Sequence, residues 1–183
     1  DVEMRKLQAL SLKMLLYCNF ERYIAYATGL FEQADNVTTR CAVLDAIAPH
    51  RNEESARLLD QFYSEIDGHD LLANKWLYYA TLSVHDKIED IELLFNHPIC
   101  DHKQPNRIMA WLGGWLEGNY ELLHDSSGTG YSLLRDVIMR IDGINPYTAT
   151  KMIGPMLQYR YFCEDSQNKI QAILREMMAR DPS

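Results

Sequence analysis

The densest group of chemically capable side chains in this 183-residue sequence is His97-Pro98-Ile99-Cys100-Asp101-His102. It places two imidazoles, a thiol and a carboxylate close together, and could hold a metal ion only if a fourth ligand folded in from elsewhere. The plainer reading is a polar turn with a partly buried Cys ahead of a helix opening at Pro105. Zinc peptidase chemistry needs two His four residues apart on one helix face with Glu between them, so that both rings hold the metal while the carboxylate handles the proton of its water. No HExxH occurs. Ser127-Gly128-Thr129-Gly130 lacks the Lys-Ser/Thr of a phosphate loop and has no evident strand before it, so a tight turn into a helix is expected. No GxSxG surrounds a Ser, and no Cys sits in a nucleophile signature. His50, His69, His85 and His124 are solitary in the sequence.

The elements that would position these groups are helical almost throughout, because apolar residues recur at three- and four-residue steps. A first helix is expected over about 3–18, with Leu7, Leu10, Met14 and Cys18 along one face, and a second over 21–33. Asn36 then caps a third, striped by Val37, Cys41, Leu44 and Ala48 and ended by Pro49. Asn36-Val37-Thr38 also satisfies the glycosylation sequon. Further helices follow over 52–66, with Glu53 and Glu54 in its first turn, over 70–83 (Leu72, Trp76, Tyr79), and over 86–96 (Ile88, Ile91, Phe95). A seventh runs from Pro105 through Trp115, interrupted near Gly113-Gly114, and the last ones cover about 130–142, 145–160 and 166–180. Trp76, Tyr78, Tyr79, Trp111 and Trp115 recur at helical spacing and read as core.

About ten helices joined by short turns imply an all-α superhelix of stacked antiparallel pairs, HEAT- or armadillo-like and irregular, since no repeat of fixed period is visible. One domain, residues 1–183, accounts for the length. With 18 basic against 26 acidic side chains the net charge is −8, which disfavours nucleic acid and anionic lipid as partners. No apolar run approaches the roughly 20 residues that span a bilayer. Four widely spaced cysteines with no CxxC pair point to reduced thiols and a cytoplasmic compartment. The opening Asp1-Val2-Glu3 is neither an initiator Met nor a signal segment, and reads as a fragment of a longer chain.

Several short motifs stand in a specific order: Asn36-Val37-Thr38-Thr39-Arg40, Leu72-Ala73-Asn74-Lys75-Trp76, Pro105-Asn106-Arg107-Ile108, the run DSSGTGY from Asp125 to Tyr131, Asn145-Pro146, and Pro155-Met156-Leu157 with Arg160-Tyr161. This order resembles the C-terminal helical domain of aminopeptidase N, the alanyl aminopeptidase of the zinc gluzincin class in its bacterial form, over roughly residues 3–180. The family's pieces read NMTDR, DKW, NPNR, DGSGY and NPQ. Here Asn74 replaces the acidic residue of DKW and Gln104 replaces the Asn before Pro105.

The resemblance implies a non-catalytic role. In that family zinc and its HExxH belong to an upstream domain of the same polypeptide, and the C-terminal superhelix covers it, walling a chamber that admits short peptides. No cofactor is then expected in this chain, zinc in the catalytic domain of the parent, and that domain and short peptide substrates as partners. The family's NPNR helix carries a second basic residue three positions after its Asn, where this chain has Met109. Its NP-initiated helix carries an Arg about six residues after its Asn, where this chain has Lys151. The resemblance therefore makes Lys151, Tyr147 one turn earlier on the same face, and Met109 candidate chamber-wall residues, with Arg107 a structural anchor. Lys keeps the charge but loses the bidentate fork of Arg. The surface facing the catalytic domain should be an exposed apolar and aromatic patch. A free-standing HEAT-like module binding a protein or peptide on its concave face is the competing reading, and the ordered motifs together with the start at Asp1 favour the enzyme piece.

Overall fold

A computed structural model describes residues 2–179, with the side chain of Val2 left aside. Every regular element among the described residues is helical: α1 (Val2–Cys18), α2 (Phe20–Gln33), α3 (Val37–Ile47), α4 (Glu53–Ser64), α5 (Asp70–Leu82), α6 (Ile88–Phe95), α7 (Pro105–Gly118), α8 (Tyr120–Leu123), α9 (Thr129–Asp142), α10 (Pro146–Met152), α11 (Gly154–Leu157) and α12 (Glu164–Ala179), with 3-10 turns at Ala48–His50 and Tyr159–Tyr161. The expected end of the last helix at residue 180 lies outside the described residues.

Asparagine opens four of these helices by one mechanism. The side-chain oxygens of Asn19, Asn36, Asn52 and Asn145 accept from the backbone N–H groups of Arg22, Thr39, Ser55 and Thr148 at 3.1, 2.9, 2.8 and 3.1 Å. Each satisfies a donor that the first turn leaves open, a contribution of about 1 kcal/mol per cap. Asn36 thus performs the capping role expected of it.

Packing follows chain order: α1, α2 and α3 form one group, α4 lies on α5, α6 on α5 and α7, and α8 to α10 continue through α9 to α12. The most intimate pair is α5 with α7. A Cβ on Gly114 would stand 2.3 Å from the Tyr78 carbonyl oxygen, and one on Gly118 would stand 2.5 Å from that of Leu82. These glycines therefore do not interrupt the seventh helix, as the sequence led us to expect. Helix α7 runs unbroken to Gly118, because close approach to α5 outweighs the helical penalty of about 1 kcal/mol per Gly. Trp111 and Trp115 are fully buried on α7, and the Trp111 indole ties the helix to α6 by donating to the Ile91 carbonyl at 2.9 Å.

Two further expectations are corrected. The single helix over 145–160 is divided into α10, α11 and a 3-10 turn, since Pro155 has no N–H to continue the ladder. The stripe Leu7, Leu10, Met14 and Cys18 does run down one face of α1, but that face is exposed, and the helix packs inward through Leu12 and Leu16. Helix α8, which the sequence did not signal, forms where Arg51 donates to Gly118 O and Asn119 Oδ1 at 2.5 and 2.7 Å while Asn119 Nδ2 donates to Thr81 O at 3.1 Å.

Candidate functional site

Helix α10 begins with the Asn145 cap and with Pro146 at its first position, where a missing N–H costs nothing. Thr148, Ala149 and Met152 face inward, and the helix lies on α9 and α7. That orientation leaves Tyr147 and Lys151 outside, one turn apart. Tyr147 is 70% exposed, and the Lys151 ammonium stands 4.4 Å from the centre of its ring. A cation over an aromatic face is held by the ring quadrupole, by about 0.5–1 kcal/mol at an exposed site. Among the described residues no carboxylate pairs with Lys151. The pair is a fixed positive charge with a phenol beside it, suited to a carboxylate or carbonyl oxygen.

Met109, the third expected residue, stands on the second turn of α7 at 37% exposure. It shares no polar or ring contact with the pair, so the structure joins Tyr147 to Lys151 and leaves Met109 separate. Its neighbour Arg107 is buried and anchors α7 to α5. Its guanidinium donates to Asp70 O at 2.6 Å, to Asn74 Oδ1 at 2.5 Å and to Asp70 Oδ1 at 3.0 Å. Asn74, the departure from the family's acidic residue, thus still accepts from this Arg without placing a second charge beside it.

The residues of the His97–His102 run do not fit a zinc site. His97 Nδ1 accepts from the Ile99 N–H at 3.2 Å, with its ring against Trp76 and Tyr63. His102 Nε2 donates to the Phe95 carbonyl at 2.8 Å and its ring stacks on Phe95. Burial pushes the Cys100 thiol up to about 12, the opposite of what a thiolate ligand needs. The run is a packed turn.

Two solitary histidines prove to be aromatic partners. His50 lies 4.5 Å from Phe20. His124 is bonded through Nδ1 to the Tyr131 hydroxyl at 2.5 Å and packs between Tyr120 and Phe162. Burial lowers the pKa of both, as it does that of His97. Tyr131 ends the DSSGTGY run, the one signal that could have pointed to this cluster. The run itself is a turn: Asp125 accepts from the Ser127 N–H at 2.8 Å, Gly128 has a φ of 79°, and Lys169 of α12 donates to Ser126 O. A Cβ on Gly130 would meet the Leu122 carbonyl at 2.3 Å, which excludes any other residue there.

The described residues form an all-helical stack in which α10 exposes Tyr147 and Lys151. The chain belongs to the family described as a domain of unknown function (DUF3458_C) with ARM repeats, whose model matches residues 1–183. It is 27% identical over 178 residues to aminopeptidase N of Haemophilus influenzae and 23% identical over 178 residues to that of Escherichia coli, covering 97% of this chain and 20% of each relative. Aminopeptidase N of Caulobacter vibrioides is 26% identical over 157 residues, covering 85% of this chain and 18% of the relative. The match is to the C-terminal region of aminopeptidase N. The chain spans about a fifth of the length of the curated relatives it matches. No helix among the described residues is long and apolar enough to cross a membrane.

Proposed function

We propose that this chain is the single C-terminal domain of a longer zinc aminopeptidase polypeptide, covering the active site and walling the chamber through which short peptides reach it. Zinc and its ligands belong, in this reading, to the upstream catalytic domain of the same polypeptide, which sits in the cytoplasm and removes N-terminal residues from peptides. Lys151 meets the carboxyl end or a carbonyl of the bound peptide, Tyr147 holds the ammonium in place, and Met109 makes another part of the wall less polar and more adaptable.

The observation that carries the reading is the Lys151 ammonium poised over Tyr147, with no carboxylate partner among the described residues. Support also comes from the exposed apolar and aromatic side chains Ile144, Tyr147, Leu157 and Tyr161 along the same segment, a composition suited to contact with another surface.

The test is kinetic and uses the complete polypeptide. Lys151→Ala should raise KM for peptides of several residues while leaving turnover of a minimal aminoacyl substrate unchanged, since only the longer substrate reaches the wall. Lys151→Arg should retain the long-peptide KM. Equal loss on both substrates would overturn the assignment.

A further inference from the structure

Helices α6 and α9 stand side by side, and a cleft of about 290 Å³ opens between them. Its floor is apolar: Phe95 of α6 and Val137 of α9 are buried there, with Leu133 half-buried beside them. Its rim carries charges of both signs. Helix α6 contributes Glu89 and Glu92, and α9 contributes Arg140. The Arg140 guanidinium lies 5.4 Å from the centre of the Phe95 ring and donates through Nη1 to Asn96 Oδ1 at 2.8 Å, which fixes it at the Asn96 end of the cleft. Asp136, also on the rim, is paired with Arg135 at 2.8 Å.

Unlike charges that share a cleft attract one another, by about 0.2–1 kcal/mol even at an exposed surface. Here they stay apart: among the described residues neither Glu89, Glu92 nor Arg140 takes part in an ion pair. A helical rise of 1.5 Å per residue puts Asn96, the anchor of the guanidinium, about 6 Å along the axis from Glu92 and about 10 Å from Glu89. The ammonium and carboxylate of an α-amino acid are about 3 Å apart. A charge-assisted hydrogen bond of about 2.8 Å at each end extends that span to about 8–9 Å. The separation therefore matches a small zwitterion, and the apolar floor is left for its side chain. The volume is at the small end of ligand sites, which suits a single amino acid better than a peptide.

We propose that the α6–α9 cleft is a binding site for a free α-amino acid with an apolar side chain. Arg140 receives its carboxylate, Glu92 and Glu89 its ammonium, and Phe95, Leu133 and Val137 its side chain. A carboxylate or an amine of the same shape satisfies one end only and leaves the opposite rim charge unanswered. The bound amino acid joins α6 to α9 across the cleft, so occupancy holds the two helices together. Free amino acids are what an N-terminal exopeptidase releases; a product-sensing role for the cleft rests on the reading above, whereas the binding itself does not.

The experiment is amide hydrogen exchange on the complete polypeptide with L-leucine as the probe, read by mass spectrometry in segments 88–96 and 129–140. Binding to the closed form multiplies protection by one plus the ratio of ligand concentration to Kd, so about 10 mM leucine at a Kd of about 1 mM should slow exchange there about tenfold. 4-Methylpentanoate and 3-methylbutylamine, which keep the side chain but carry one charge each, should leave both segments within about twofold of the free protein. Arg140→Gln, and separately Glu89→Gln with Glu92→Gln, alter exposed side chains and should each abolish the leucine effect. No added protection in these segments, protection that survives either set of substitutions, or equal protection by 4-methylpentanoate would each overturn the proposal. The readout needs no turnover, so a failure of the Lys151 kinetics and a failure here are distinguishable.

Discussion

Helices α1 and α7 are both rich in apolar side chains, yet they stand at opposite extremes of the molecule. Helix α7 is enclosed on its apolar side by α5, α6 and α10 and leaves Ile108, Trp111, Leu112 and Trp115 essentially without solvent contact. Helix α1 has neighbours on one side only and leaves most of its apolar residues in water. The difference teaches that in a stacked array the burial of a side chain is a property of the neighbouring unit as much as of its own helix. The stability of the chain is therefore concentrated around α5 and α7.

That contrast can be broken most forcefully at its centre. Trp111→Ala removes a fully buried indole and should cost about 4 kcal/mol. A loss under half of that, by denaturant titration, would mean that the buried face of α7 is not where stability resides. Gly114→Ala should follow at about 3 kcal/mol, because the new methyl would meet the Tyr78 carbonyl and force the helices apart. Arg107→Met should cost about 2 kcal/mol by leaving Asn74 and the Asp70 carbonyl without their buried donor.

Acid provides a smaller and graded probe. His97 packs on Trp76 of α5, and burial holds its pKa below the ordinary 6.5. As pH falls through that value the unfolded chain takes up a proton before the folded one does, so the unfolded state gains. Stability is complete above about 6.5 and declines as pH falls toward the folded pKa, with His50 and His124 contributing in the same direction. Denaturation midpoints at successive pH values should show the decline, and His97→Asn should make it shallower. The smallest effect is expected at the other extreme: Leu10→Lys with Met14→Lys in the 183-residue chain should change stability by no more than about 0.5 kcal/mol, because both side chains already face water. A large loss there would mean α1 is buried in solution, as by self-association.

Much of the helical outline could be read from local signals. Asn36 caps as expected, Pro105 opens α7, and the one-turn separation of Tyr147 and Lys151 placed them on a shared face, as the cation over the ring shows. Gly113-Gly114 misled, because a glycine pair that ends a helix and one that admits a neighbouring helix look the same without the neighbour. The break at Gly154-Pro155 was legible in principle but overridden by the apolar periodicity around it. His124 could not be placed, since its partners Tyr131 and Phe162 are brought to it by the turn at Gly128 and the return of the chain before α12.

What the sequence determined by itself was the set of local choices: helices, the cap at Asn36, and the ordered motifs that the family match bears out. Each of these depends on residues within about a turn of one another or on their order along the chain. Tertiary structure alone decided which apolar faces are covered. Leu10 and Leu112 have the same side chain in the same kind of helix, and one is exposed while the other is buried. Periodicity can mark a face as apolar, but burial requires a second surface, and that surface is supplied by another helix whose position no local spacing encodes.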